Sequence, residues 1–524
     1  MHYLGFAAAQ GGKAPPYRRT LYNSAGATPR PKGRRHSLKF KWKLAGKAEP
    51  YRTGRRRSRD GPPAPLSGEV TNAKQVLKPK HMELSGWGRY PRGPATVVCP
   101  ENISQAVPPR AGQMIARGQG RSYGDAAMFA DGIVMLTEHL NRVGSFHEQS
   151  GVLKAEAGTT LGQVINDFLP RGWFPAVVPG TRFVSLGGCV AADIHGKNHH
   201  RDGGFGEHVK EFEIVLADRS RRRCSPQKDP ELFWATIGGM GLTGILTDIS
   251  FQLIPVESSY LVVQHHQAKD LDASFEVLSD KDWDDHYTVA WIDCLARGSS
   301  LGRTVLMRGH HAGLDDLPAR LRDKPYSKPR RQRNLGFDFP SWTLNSLGMK
   351  AFNELYYRLQ GRRQRPFIAD YESFFFPLDR IGNWNRIYGK RGFIQYQCVL
   401  PLAAAQKGMQ ALLEALAAAG RPSFLSVLKR FGPEGQGLLS FPFEGYTLTL
   451  DLPVDDDQLF SFLDRLDAIV LKHGGRVYLA KDARLSAEAF RVMYPRLAEW
   501  LRIKSTVDPE NRFESDLARR LGIT

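Results

Sequence analysis

Cysteine is scarce in this 524-residue chain, and long apolar runs are missing. The five cysteines contain no CxxC pair, which argues against a disulfide framework or a cysteine zinc site. They are Cys99, Cys189, Cys224, Cys294 and Cys398. No stretch of about 18 apolar residues occurs, so the sequence predicts no transmembrane helix. Internal repeats are absent as well.

Acidic residues are nearly missing from the first 80 positions, which hold nineteen Lys or Arg and three acids. This segment therefore carries +16 of the chain's +20 charge, and residues 81–524 carry about +4. We expect residues 1–81 to be a basic, disordered tail. Three interpretations stay open: a solvated tail or a misassigned start before Met82, a basic arm for anionic lipid or nucleic acid, or a transit peptide. The balanced remainder predicts no nucleic-acid binding.

The chain is long enough for two folded units with a sizeable core. Between 94 and 256, short β-rich runs alternate with helical pieces at 159–172 and 230–239, which predicts an α+β fold. A helix is expected over 402–420 with Gly420 as its C-cap, and another over 486–505 with Ser486 as its N-cap.

Two glycine-rich segments dominate the chemistry. Arg117–Asp125 reads RGQGRSYGD, and Pro179–Val209 packs seven glycines around four histidines. The first is not the dinucleotide-binding G-x-G-x-x-G, because no long helix with a distant acidic residue follows it. Together they predict two rows of backbone N–H groups able to hold a pyrophosphate. We therefore expect a redox cofactor held mostly by main chain, while a third glycine tract at 233–253 is either a turn or a further cofactor contact.

Several polar side chains invite a second interpretation. His195 and His199 have helical metal-site spacing, but the glycines around them disfavour a helix and no metal is predicted. Lys429 and Lys481 lie in apolar, β-like surroundings, where a lysine either reaches solvent or faces a pocket and pairs with phosphate.

A strand with the sequence FIQYQCVLP carries Gln395 and Gln397 on one face and Tyr396 on the other. This polar pair would either bind sugar hydroxyls inside a pocket or line an edge that faces water.

A set of motifs from Leu84 to the C-terminus carries a family resemblance: GRSYGD, VPGTRFVSLGGCVAADIHGKNHH, FGEHV, ELFWATIGGMGLTGI, GFIQYQ, KRFGP, LSFPFEGY, YLAKDAR and VDPENRFESDLARRL. In this order they closely resemble the flavoprotein subunits of decaprenylphosphoryl-β-D-ribose 2′-epimerases, within the vanillyl-alcohol-oxidase class. The resemblance implies a PCMH-type FAD domain built from 82–257 and 476–524. It also implies a substrate domain with an antiparallel sheet at 258–475.

The same resemblance assigns the site residues. Contacts to FAD are implied for Arg117, Gly118, Gln119, Gly120, Arg121, Ser122, Tyr123, Gly124, Asp125, Pro179, Gly180, Thr181, Gly187, Gly188, Cys189, Asp193, His195, Gly196, Lys197, Asn198, Ile245 and Tyr478. Substrate contacts are implied for Lys197, Trp291, Gln395, Gln397 and Lys429. Lys481 is the expected cation for developing negative charge, and Tyr123, His195 and Lys481 are alternative proton acceptors.

The implied reaction oxidises the C2′ hydroxyl of a polyprenyl-phosphoryl ribose, with a separate NAD(P)H-dependent short-chain reductase completing the epimerisation. A sugar or aldonolactone oxidase of the same superfamily is the alternative. Related enzymes that bind flavin covalently have a histidine at the position of Arg121, so we expect dissociable FAD. Actinobacterial members have a cysteine at the position of Thr449. We expect a cytoplasmic protein or one peripheral at the inner membrane, on either face.

Overall fold

The computed structural model describes residues 77–279, 285–340 and 345–523. Nearly all of the predicted basic tail, 1–81, lies outside these residues. Its last two positions already belong to a strand, because the first strand begins at Lys80.

Two sheets form the half of the molecule that carries the glycine-rich segments. The first has the order β1-β2-β4-β3, with parallel pairing of β4 to both β2 and β3. Its strands are β1 (Lys80–Ser85), β2 (Arg92–Val98), β3 (Met114–Arg117) and β4 (Ile133–Leu136). The second is antiparallel with the order β5-β6-β10-β8-β9, and β7 also pairs with β10. Its strands are β5 (Val143–His147), β6 (Val152–Glu156), β7 (Trp173–Pro175), β8 (Val209–Val215), β9 (Arg221–Cys224) and β10 (Ile245–Pro255).

An eight-stranded antiparallel sheet forms the other half, in the order β15-β11-β13-β12-β18-β19-β17-β20. Its strands are β11 (Tyr260–Ala268), β12 (Tyr287–Ile292), β13 (Thr304–His311), β15 (Phe367–Asp370), β17 (Phe393–Pro401), β18 (Ser426–Phe431), β19 (Gly445–Pro453) and β20 (Arg476–Val477). A short parallel pair joins β14 (Arg333–Asn334) to β16 (Ile381–Gly382). The α+β prediction is confirmed.

The helices of the first half are α1 (Leu161–Phe168), α2 (Leu186–Ala191), α3 (His199–Asp202) and α4 (Pro230–Thr236). Those of the second half are α5 (Leu271–Ser279), α6 (Ala319–Arg322), α7 (Ser346–Gln360), α8 (Tyr371–Phe375), α9 (Leu402–Ala419) and α10 (Gln458–Lys472). The last are α11 (Ala487–Met493), α12 (Leu497–Val507) and α13 (Asp516–Leu521).

Helix α9 ends as predicted, with Gly420 in the left-handed conformation at φ +62°. Ser486 caps α11 by accepting the backbone N–H of Ala489. The single helix expected over 486–505 was wrong, because the chain breaks at Tyr494 into α11 and α12. Pro495 follows directly, and a proline has no N–H for a helical bond.

The central strands β17 and β19 are buried along almost their whole length. Helices α9 and α10 cover one face, where the Tyr396 hydroxyl donates to Asp467 of α10 at 3.0 Å. The opposite face, carrying Gln395 and Gln397, turns toward the first half of the molecule. The polar side chains of this strand are therefore internal.

Residues from 77 onward pack as one compact unit. Strand β20 begins at Arg476 and still belongs to the large sheet, so the domain boundaries at 257/258 and 475/476 stay a prediction. No helix in the described ranges is both long enough and apolar enough to span a bilayer.

Candidate active site

A cavity of about 530 Å³ lies between the glycine-rich segments and the eight-stranded sheet. Its volume falls in the range of roughly 300–1,000 Å³ typical of cofactor and small-molecule sites. Most predicted site residues line it. From the glycine-rich segments these are Gly118, Gln119, Gly120, Arg121, Ser122, Tyr123, Pro179, Gly180, Thr181, Gly187, Gly188, His195, Gly196 and Lys197. From the sheet and the C-terminal segment they are Trp291, Gln395, Gln397, Lys429, Tyr478 and Lys481.

The two glycine-rich segments touch each other at Gly118. A Cβ there would lie 2.0 Å from Ser185 Oγ, so only glycine permits this approach. Ser185 is itself fixed as the N-cap of α2, where it accepts the backbone N–H of Gly188. The first segment also meets the C-terminal one, because the backbone N–H of Tyr123 donates to the Ala480 carbonyl at 2.9 Å.

The cavity wall has the chemistry of an anion cradle. Among the described residues, no protein acceptor binds the backbone N–H groups of 118–122. Arg121 lies over the Trp87 ring at 4.1 Å, and its buried Nε has no hydrogen-bond partner in the described part of the chain. A Cβ on Gly180 would meet no protein atom within 4 Å. Free N–H groups, an unpaired guanidinium nitrogen and an open glycine wall fit the pyrophosphate of a dinucleotide cofactor.

Seven predicted cofactor residues do not line the cavity: Arg117, Gly124, Asp125, Cys189, Asp193, Asn198 and Ile245. They lie behind its wall, where the six that are not glycine use their side chains inside the protein. Arg117 donates to the carbonyls of Ser85 and Ala127, and Asp125 pairs with Arg520.

The other five support the cradle from within the core. Asp193 accepts Ser440 Oγ–H at 2.6 Å, and Asn198 donates to the Ala176 carbonyl at 2.8 Å. Gly124 lies against the carbonyl of residue 482, and the side chains of residues 189 and 245 are fully buried among apolar residues. The contacts of these seven positions with FAD stay a prediction.

His195 lies at the centre of the site, with both ring nitrogens engaged. Lys429 Nζ is 3.1 Å from Nδ1, and the side-chain amide of Gln397 is 3.0 Å from Nε2. Burial, reinforced by nearby Lys429, holds the His195 pKa well below its usual value. The imidazole is therefore neutral. Because both nitrogens have hydrogen-bond partners, His195 has no free nitrogen for a metal ion. Within the described residues, one group of side chains has the spacing of metal ligands, Cys99 with Glu138 and His139, and it lies outside the cavity.

Three lysines converge on the cavity, and none of them forms an ion pair among the described residues. Burial lowers the pKa of Lys197, Lys429 and Lys481 to about 7 in each case. Lys429 contributes further to the lowered pKa of the other two. Lys197 donates to the Phe374 carbonyl, whereas Lys481 lies 3.7 Å above the centre of the Tyr123 ring. A cluster of unpaired cations inside a cavity is suited to a phosphate-bearing ligand.

Asp451 on β19 is a site residue that the sequence analysis missed. Its carboxylate accepts from Gln395 Nε2 at 2.5 Å and from the Tyr388 hydroxyl at 2.9 Å. Burial raises its pKa to about 6, while Lys481 acts to lower it. Burial and the same carboxylate raise the Tyr123 pKa far above 10. Asp451 therefore sits behind the cavity wall and influences the charge of both neighbours.

Other parts of the wall come from two further segments. The third glycine tract lines the cavity through Met240, Gly241 and Gly244, which favours the cofactor-contact interpretation over a plain turn. Tyr356 of α7 packs on Trp291 with ring centres 4.9 Å apart, and it also faces the cavity. Nothing in the local pattern of α7 marked this residue, because the contact depends on how the helix crosses the sheet.

Comparison with known proteins decides the family. The chain is 40% identical over 448 residues to decaprenylphosphoryl-β-D-ribose oxidase of Mycolicibacterium smegmatis, covering 84% of this chain and 97% of that protein. This chain belongs to the decaprenylphosphoryl-β-D-ribose oxidase family. An uncharacterised Streptomyces coelicolor protein is 35% identical over 70% of this chain and all of its own length. A putative D-arabinono-1,4-lactone oxidase of Neurospora crassa is 28% identical over 34% of this chain and 33% of its own length.

Two family models match separate parts of this oxidase-family chain. The FAD binding domain model matches residues 96–225, and the D-arabinono-1,4-lactone oxidase model matches residues 449–521. The first spans both glycine-rich segments of the cradle, and the second begins at Thr449 in the cavity wall and includes Lys481. The predictions of FAD as cofactor and of an FAD-dependent oxidoreductase are thereby confirmed.

Proposed function

We propose that this enzyme oxidises the C2′ hydroxyl of a polyprenyl-phosphoryl-β-D-ribose to the 2′-keto sugar. The observation that carries the proposal is the continuity of one cavity, which joins the FAD cradle to Lys197, Lys429 and Lys481. Lys197 and Lys429 would hold the phosphate, while Gln395 and Gln397 would bind sugar hydroxyls.

Bound FAD supplies the acceptor for the hydride that leaves C2′. The hydroxyl proton needs a base, and of the three predicted candidates Lys481 is best suited, because a pKa of about 7 leaves much of its amine neutral. Tyr123 is a phenol whose raised pKa disfavours the phenolate, and the low pKa of His195 makes it a weak base. After accepting the proton, the Lys481 ammonium stabilises nearby negative charge.

Two partners, a reductase and a membrane surface, complete the proposal. A separate NAD(P)H-dependent short-chain reductase would reduce the 2′-ketone from the opposite face and yield the arabinose epimer for cell-envelope glycan synthesis. Since the substrate is anchored in a membrane by its prenyl tail, the enzyme would work peripherally at the inner membrane, on either face.

FAD would be bound non-covalently, because Arg121 occupies the position at which related enzymes with covalent flavin have a histidine.

The test is anaerobic flavin reduction by three substrates: polyprenyl-phosphoryl ribose, its arabinose epimer and an aldonolactone. We expect rapid bleaching by the ribose compound. Rapid bleaching by the lactone alone would instead favour the alternative aldonolactone oxidase, which the match over residues 449–521 makes the second candidate. Acid precipitation should release the flavin into the supernatant, and yellow colour that stays with the pellet would refute non-covalent binding.

A further inference from the structure

Exposed apolar side chains concentrate on α7 (Ser346–Gln360). Four large apolar side chains of this helix are exposed: Leu347 by 80%, Leu355 by 57%, Leu359 by 47% and Phe352 by 41%. The last three share one face of the helix at i, i+3 and i+7 spacing. Soluble proteins seldom expose a contiguous apolar stripe unless it meets a partner or a membrane.

Positive charge surrounds this stripe. Residues 345–365 contain five basic side chains and one acidic, Glu354, for a net charge of +4. That equals the net charge of the whole segment 81–524. The five cations are all exposed: Lys350, Arg358, Arg362, Arg363 and Arg365. Apolar side chains flanked by exposed cations are typical of helices that lie in the headgroup region of anionic membranes.

The side of α7 next to this stripe faces the active-site cavity. Tyr356, Gln360 and the nearby Arg363 line it, together with the apolar side chains of Val263 and Met307. Tyr356 lies one turn after Phe352 of the stripe, with ring centres 5.9 Å apart, so the cavity and the stripe adjoin each other at this pair. A prenyl chain leaving the cavity beside α7 would emerge at the stripe.

We propose that the outer face of α7 docks this enzyme on an anionic membrane surface. Its apolar side chains would enter the headgroup region, and its arginines would meet lipid phosphates. The prenyl tail of the substrate would then pass from the bilayer into the cavity beneath the helix. This inference rests on the proposed function for the lipid-linked substrate, and it names the surface at which that substrate is delivered.

Site-specific labelling of the full-length holoenzyme tests the docking surface. In a Cys99→Ser background, where the other four cysteines are buried, an environment-sensitive fluorophore is attached after Leu347→Cys or Val492→Cys. Val492, on α11, is 70% exposed and serves as the matched apolar control. Phosphatidylglycerol vesicles should brighten the label at 347 roughly twofold or more and leave the label at 492 unchanged, whereas phosphatidylcholine vesicles should affect neither. Equal responses at the two positions, or no change in fluorescence at 347, would overturn the proposal. No change at 347 is also the result expected if residues 1–80 alone attach the protein to the vesicles.

A second variant separates docking from chemistry. Leu355→Glu combined with Leu359→Glu should lower kcat/KM for the long-chain substrate in vesicles about tenfold, and Val492→Glu should not. A short-chain, water-soluble analogue should be turned over normally by both. Equal loss with both substrates would show that the stripe serves the fold, and would overturn the proposal. If even the wild-type enzyme turns over neither, the proposed function fails while the labelling result still decides the surface.

Discussion

Replacing Lys429 by methionine should stabilise the protein while impairing substrate binding. Lys429 extends from β18 toward the cavity, and among the described residues no carboxylate pairs with its ammonium. Its pKa falls from 10.5 to about 7 because burial removes its hydration. Folding therefore disfavours the proton that this lysine carries in the unfolded chain, and methionine fills a similar volume without that cost.

The magnitude follows from the two pKa values. At roughly 1.4 kcal/mol per pH unit between them, the lysine destabilises the fold by about 4 kcal/mol at pH 7 and about 2 kcal/mol at pH 9. The part of Lys429 that is exposed faces the cavity, where water restores some hydration, so we expect about half of these values. The unfolded state binds the proton between pH 7 and 10.5 and the folded state does not, so the gain from Lys429→Met shrinks as pH rises through that window.

Thermal unfolding with saturating FAD measures the effect. Lys429→Met should raise the midpoint by about 2–4 °C at pH 7 and by less at pH 9, while KM for the phosphoryl-linked substrate rises at least about tenfold. Lys504→Met is the matched control, because Lys504 is buried but pairs with Asp508 and donates to two carbonyls. That variant should lose about 3–5 kcal/mol, since it leaves a buried carboxylate unpaired. A Lys429→Met protein less stable than wild type at pH 7 would refute the reasoning.

Two further substitutions test the site. Asp451→Asn removes the carboxylate that raises the Lys481 pKa, so the neutral amine should form at a lower pH and the rate of flavin reduction should begin to rise at a lower pH than in the wild type. Asp467→Asn, on the helix-covered side of the sheet, should leave the pH profile unchanged, and identical profiles for all three proteins would contradict the assignment of Lys481 as the base. Gly180→Ala should weaken FAD affinity measurably while preserving the fold, because its Cβ meets no protein atom within 4 Å. Gly124→Ala should prevent folding, since its Cβ would lie 1.8 Å from a backbone carbonyl oxygen; normal FAD affinity in Gly180→Ala would exclude that glycine from the cradle.

Local sequence patterns predicted the features that depend on local geometry. The period of two along β17 placed Gln395 and Gln397 together and Tyr396 opposite, as the structure has them. Glycine density located both halves of the cradle, because a backbone can approach a ligand or another backbone closely only where no Cβ intervenes. The close contact of Gly118 with Ser185 is such a case.

Residue motifs did not separate the residues that line the cavity from those that support its wall. Asp193, Asn198 and Cys189 lie inside the second glycine-rich motif, yet their side chains point into the protein. Asp451 was missed for the converse reason, because it continues an ordinary alternating strand and acquires its role only where β17 and β19 pair. Which side of a short turn faces the cavity depends on tertiary packing, and the pattern of a single sequence does not contain that information.

The arrangement of charge explains why this cavity suits a phosphorylated ligand. Three lysines with pKa values near 7 share the site, and Asp451, the carboxylate that acts on Lys481, is already engaged by Gln395 and Tyr388. A compensating acid beside each lysine would restore its charge and also repel a phosphate. Leaving Lys197 and Lys429 unpaired keeps their charge dependent on the ligand, because a bound phosphate would raise their pKa values and favour protonation. In the proposed complex, Lys197 and Lys429 would therefore be protonated beside the substrate phosphate, and the Lys481 amine would stay available to accept the hydroxyl proton.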